Sequence, residues 1–108
     1  MINVSKLADG DLLGDITVGD EVIHMLRYRY GEGNLAICLE TEDGEPDGVL
    51  TVNLDDSVAL ERAGEFAVKT WGENECRRTP ALASGIFEDT GKRIRAGYCQ
   101  AEVWRFKE

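Results

Sequence analysis

Between Glu21 and Leu54 the chain alternates and breaks in a rhythm that suits short antiparallel strands. In EVIHMLRYRY (21–30), Val22, His24, Leu26, Tyr28 and Tyr30 fall on one side of an extended backbone. Ile23, Met25, Arg27 and Arg29 fall on the other. Such β-branched and aromatic types fit a pleated surface. Gly31-Glu32-Gly33-Asn34 predicts a turn, because glycine tolerates positive φ and asparagine nearly so. LAICLET (35–41) resumes as a strand, and EDGEPDG (42–48), with Gly44, Pro46 and Gly48, makes a second turn. VLTVNL (49–54) predicts a third strand. Parallel pairing needs a crossover of about a dozen residues. These turns are too short for one, so the three strands form an antiparallel meander.

The rest of the chain extends this pattern. DLLGDITVG (11–19) predicts a short edge strand broken by Gly14. VALERAG (58–64) fits a helical turn or a loop, and EFAVKTW (65–71) a further strand. Asn74 suits the N-cap of a helix over about 75–84, Pro80 weakens its first half, and Gly85 suits its end. A turn is expected at Asp89-Thr90-Gly91 within 86–96, and a last strand over 97–106. There is no internal repeat, low-complexity tract or linker. The expected fold class is α+β. It comprises an antiparallel β-sheet of five or six strands, begun by the N-terminal meander, with one short helix packed on it. At 108 residues the chain is expected to be a single domain, 1–108.

Charge is distributed unevenly. The net charge is −9, and residues 1–60 hold 13 acids against three bases, whereas residues 61–108 are nearly neutral. From Glu40 to Asp56 there are seven acids and no base. This sign argues against nucleic acid or an anionic membrane as a direct partner. No apolar run approaches the roughly 20 residues needed to span a bilayer. The start, MINVSKLADGD, lacks the pattern of a secretion signal. Cys38, Cys76 and Cys99 are odd in number and widely spaced, as expected of reduced thiols in the cytoplasm.

Little in the chain points to chemistry. His24 is the one histidine, with no nucleophile at a telling spacing. The cysteines form no CxxC and have no paired histidine, so no zinc site is expected. The acidic loop from Glu40 fails as a calcium loop, because its twelfth residue is Thr51 and not a closing glutamate. Gly31-Glu32-Gly33 precedes a strand and contains an acid, so it is no phosphate loop. No catalytic residue, metal or cofactor is therefore expected. Acidic turns serve solubility in many proteins, but their density here also permits a sharper reading. Duplex DNA carries about one charge per 1.7 Å of axis. Neighbouring strands lie about 4.8 Å apart, so acids on adjacent turns can approach that density. The candidate partner-binding residues are Glu32, Glu40, Glu42, Asp43, Glu45, Asp47, Asp55 and Asp56. Glu42, Asp43, Glu45 and Asp47 crowd one turn, whereas Asp55, Asp56 and Glu32 belong to the far end, giving two acidic tips.

GNLAICLETEDGEPDGVLTVNL (33–54), GEFAVKTWGENE (64–75) and GIFEDTGKRIRAGY (85–98) resemble a family of small bacterial proteins of conjugative and other mobile elements. That family is known only as a domain of unknown function. The resemblance covers about residues 20–106 and carries over no catalytic residue. Small acidic proteins of mobile elements often shield them from host defence, and some are anti-CRISPR proteins that occupy the DNA-binding surface of a Cas complex. The resemblance therefore implies a non-enzymatic, DNA-mimicking inhibitor. Its partner would be the basic nucleic-acid-binding groove of a host complex, a CRISPR surveillance complex being favoured. An anti-restriction mimic, or a protein-binding accessory protein of a conjugative element, is the alternative.

Overall fold

A computed structural model of the protein describes residues 9–31, 34–55 and 57–107. In chain order the strands are β1 (Leu12–Val18), β2 (Glu21–Arg29), β3 (Leu35–Thr41), β4 (Pro46–Val49), β5 (Glu65–Val68), β6 (Phe87–Ala96) and β7 (Cys99–Phe106). Two short helices, α1 (Ser57–Arg62) and α2 (Arg78–Ala83), complete the α+β fold, and a 3₁₀ turn over Gly72–Arg77 leads into α2.

The strands form two antiparallel sheets, ordered β1-β2-β3-β4 and β5-β7-β6. The first contains the expected meander. Thr17 lies opposite Val22, and Ile23 lies opposite Thr41. Of the two sides of β2, the one bearing Ile23, Met25 and Arg27 faces inward, joined by Leu13 and Ile16 of β1 and Ile37 and Leu39 of β3. The second sheet contributes Phe66, Val68, Phe87 and Trp104 to the same cluster, and α2 contributes Ala81. Phe66, Phe87, Trp104 and Phe106 meet with ring centroids 5.2–5.8 Å apart, in the tilted and edge-on geometry that aromatic quadrupoles favour.

Three local expectations need correction. The strand expected at 49–54 is divided between the sheets. β4 begins earlier, at Pro46, and Gly48 takes φ of +112° at an irregularity in the β3–β4 register. Leu50 N–H then donates to Ile37 O of the first sheet (2.8 Å), while Leu50 O accepts from Lys69 N–H just beyond β5 (2.9 Å). Thr51 bridges to Val68 and Val52 N–H donates to Ala67 O, so 50–52 ties one sheet to the other. The turn expected at Asp89–Gly91 is a bulge within β6. Gly91 takes φ of +87°, and Thr90 Oγ1 donates to Val103 O of β7, so the strand kinks without reversing. Asn74 is no N-cap. It is fully buried inside the 3₁₀ turn, where Nδ2 donates to Val49 O (2.8 Å) and Lys69 O (3.0 Å) and Oδ1 accepts from Arg77 (2.8 Å). Pro80 is accommodated because it falls in the first turn of α2, where its missing N–H has no partner to lose.

Candidate functional site

Antiparallel pairing brings distant acids to one place. Gly19, at φ +61°, turns β1 into β2 and leaves Asp20 and Glu21 exposed. The β3–β4 turn is held by Thr41. Its N–H donates to Glu45 O (2.9 Å), its O accepts from Gly44 N–H (2.9 Å), and its Oγ1 accepts from Glu45 N–H (3.2 Å). This ordered turn presents Glu42, Asp43 and Glu45 to solvent. Val18 lies opposite Glu21 and Ile23 opposite Thr41, so both turns cap the same end of the first sheet.

Just inside that end runs a cross-strand row of Asp15, His24 and Glu40 on β1, β2 and β3. His24 Nδ1 lies 2.6 Å from Asp15 Oδ1. That hydrogen bond raises the imidazole above its usual range; desolvation opposes it, and the charges of Asp15, Glu42 and Glu40 reinforce it. Neither 11–26 nor 38–49 contains a lysine or arginine. Among the described residues no base pairs with Asp20, Glu21, Glu40, Glu42, Asp43 or Glu45.

The second sheet is different, because its acids are largely neutralised by neighbours. Glu65 pairs with Lys92 (2.9 Å), Asp89 with Arg93 (2.9 Å), Glu102 with Arg78 (2.8 Å), and Glu88 with Arg105. The Arg93 hydrogen bonds hold the Asp89 carboxyl below its ordinary range.

The candidate acids separate accordingly. Glu40, Glu42, Asp43 and Glu45 come together at the acidic end, and the structure adds Asp15, Asp20 and Glu21 to them. Asp47 does not belong with them as an open charge. It pairs with Arg77 at 2.8 Å and fastens β4 to the 3₁₀ turn. Asp55 is exposed at the other end of the sheet, where nearby Asn53 accepts from Asn34 at the start of β3. Glu32 and Asp56 lie outside the described residues. Asp20 and Glu21 could have been found by adding the β1–β2 hairpin to the meander, since any antiparallel register puts that turn beside the β3–β4 turn.

Among the described residues, no three His, Cys, Asp or Glu side chains converge as a metal centre would require. Cys38, Cys76 and Cys99 carry free thiols. Burial, with the charge of Glu40, pushes the Cys38 thiol up, which disfavours a reactive thiolate. No described helix is long and apolar enough to cross a membrane. Comparison with family models, curated proteins and solved structures found no match for the chain.

Proposed function

We propose that this protein is a non-enzymatic inhibitor whose acidic end occupies the basic nucleic-acid-binding groove of another protein. The favoured target is a host defence complex that acts on nucleic acid, specifically a CRISPR surveillance complex; a restriction enzyme's DNA groove would be recognised by the same physics. The observation that carries the reading is the one-signed end of the first sheet, where Asp20, Glu21, Glu40, Glu42, Asp43 and Glu45 have no basic partner among the described residues. Solubility alone would be served by scattered charge of both signs. A single-signed patch on ordered turns creates a directed field that steers a basic surface toward it.

The test is charge reversal of Glu42, Asp43 and Glu45 to Lys together, assayed in a DNA-interference reaction and by binding to the surveillance complex. Like-charge juxtaposition costs several kcal/mol, so affinity should fall by more than about 100-fold. The variant should stay folded by circular dichroism, because exposed turn carboxylates contribute little to stability. Full inhibition by the folded variant would refute the mimicry reading. Binding should also weaken as salt rises, because screening shortens the reach of charges across a protein–protein interface. One observation favours the second reading, a protein-binding accessory of a mobile element: beside the row of Asp15, His24 and Glu40, the outward side of the first sheet aligns Leu12, Leu26, Cys38 and Val49 across its four strands.

A further inference from the structure

The outward face of the first sheet carries a continuous apolar row. Leu12 lies opposite Leu26, Leu26 opposite Cys38, and Cys38 opposite Val49, so the row crosses all four strands. Tyr28 extends it along β2, away from His24. Leu12 is 56% exposed and Tyr28 36%, whereas the alternate residues of β1 to β3 fill the core. The core cluster lies on the inward face together with α2, whereas on the outward one Tyr28 packs against Gly10 just before β1. An antiparallel sheet with one wet face is ordinarily polar on that side. A rimmed apolar patch marks an interaction surface.

The geometry points to an amphipathic helix of a partner protein, with an apolar stripe flanked by lysine or arginine, as the occupant of this face. The inference rests on the acidic end being a docking surface and names the element it receives. Charge selects that occupant. The apolar row runs directly beside Asp15, His24 and Glu40, with Glu42 close to His24. A second copy would bring another net charge of −9 against this rim, and a nucleic acid would bring its phosphates. The presented groups are side chains on a sheet face, and a helix layered on a sheet is the usual way to bury such a face. Four strands at about 4.8 Å spacing give roughly 14 Å from first to last, and a helix rises about 1.5 Å per residue, so about ten residues of one helix laid along the row would span it. Anchors at i, i+3, i+7 and i+10, about 15 Å end to end, would meet Leu12, Leu26, Cys38 and Val49, and flanking bases would meet Asp15, Glu40 and Glu42.

The probe is a synthetic peptide of roughly 16 residues, about 24 Å as a helix, with leucines in one stripe and lysines on both flanks. Its control has the same composition with the stripe scrambled. Binding of each to the full chain is measured by calorimetry and mapped by amide chemical shifts. The striped peptide should bind at least tenfold more tightly, with shifts at Leu12, Leu26, Cys38 and Val49. Leu12→Asn, at an exposed position that leaves the core intact, should lose most of that advantage, as should Leu26→Asn. Equal binding of both peptides, with shifts confined to the Asp20 and Glu42–Glu45 turns, would overturn the helix inference and leave the charge reading standing. Loss of striped-peptide binding in Leu12→Asn but not in the Glu42, Asp43 and Glu45 reversal would sink the charge reading and with it the basic-flanked occupant, leaving the apolar face alone as the contact. Nuclear Overhauser contacts from Ile2, Val4 or Leu7 to Leu26 in the free chain would overturn the inference by giving the face to the chain itself. Dimerisation through this face, seen by sedimentation, would overturn it by giving the face to a second copy.

Discussion

Single side chains in this protein do work that their residue types do not advertise. Asn74 has the composition of a cap and the role of a fastener. It is fully buried and makes three hydrogen bonds, joining β4, the segment after β5 and Arg77. Asn74→Ala would strand two carbonyl oxygens and free Arg77 from one acceptor. An unsatisfied buried group costs about 1–3 kcal/mol. Urea denaturation should therefore show a loss of about 2–3 kcal/mol. Cys76→Ala, at an exposed neighbour, should lie within about 0.5 kcal/mol of the parent. His24 makes a second residue-scale case. Its folded pKa is raised, chiefly by the Asp15 hydrogen bond. A raised pKa stabilises the fold fully below the unfolded value of about 6.5, and that contribution fades as pH climbs through the folded value. The difference in melting temperature between the parent and Asp15→Asn should thus be larger at about pH 5.5 than at about pH 8.5. The titration midpoint of His24, followed by proton NMR, should fall in Asp15→Asn; an unmoved midpoint would refute the assignment of its cause.

At the scale of elements, close packing constrains β1 as strongly as alternation does. A Cβ at Gly14 would stand 2.2 Å from Ile86 Cδ1, so the strand passes beneath the residue that precedes β6. Gly14→Ala should destabilise the fold by about 1–3 kcal/mol through overpacking. Adding Ile86→Val, which removes the clashing methyl, should restore part of the loss in thermal melts; a strictly additive double variant would show that the clash is not the cause. Gly14 reads in sequence only as a break in a strand, because its neighbour lies more than 70 residues away in the chain. The same boundary between local and distant information runs through the whole fold. β2 and β3 were legible because Ile23, Met25, Ile37 and Leu39 alternate with outward residues along each strand. VLTVNL was legible as extended but not as shared, because its partners Ile37 and Lys69 are fixed only when both sheets assemble. The acidic turn at 42–45 was legible from glycine and charge. Its union with Asp15, Asp20 and Glu21 depends on register, and the neutralisation of Asp47 depends on where Arg77 comes to rest.

Across the whole molecule, the segment 50–52 makes two sheets behave as one structure. Leu50 is fully buried and hydrogen-bonded toward both sheets. Leu50→Ala should cost about 2–5 kcal/mol, as for other buried leucines, and should lower the melting point of both sheets together. Fluorescence of Trp104, in the second sheet, followed in a Trp71→Phe background, should trace the same unfolding curve as far-ultraviolet circular dichroism; two separated transitions would show that the tie is weak. Segregated charge has a different whole-molecule consequence. An excess gathered at one end of the first sheet, set against a second sheet whose charges nearly cancel, makes the protein a permanent electric dipole. In the field of a cationic surface such a body feels a torque before it feels contact. It rotates as it diffuses, so the first collision is made by the Asp20 and Glu42–Glu45 turns and not by a random flank. On a positively charged resin or sensor chip, the molecules would therefore stand in a common orientation, with the β2–β3 end of the first sheet turned toward the liquid.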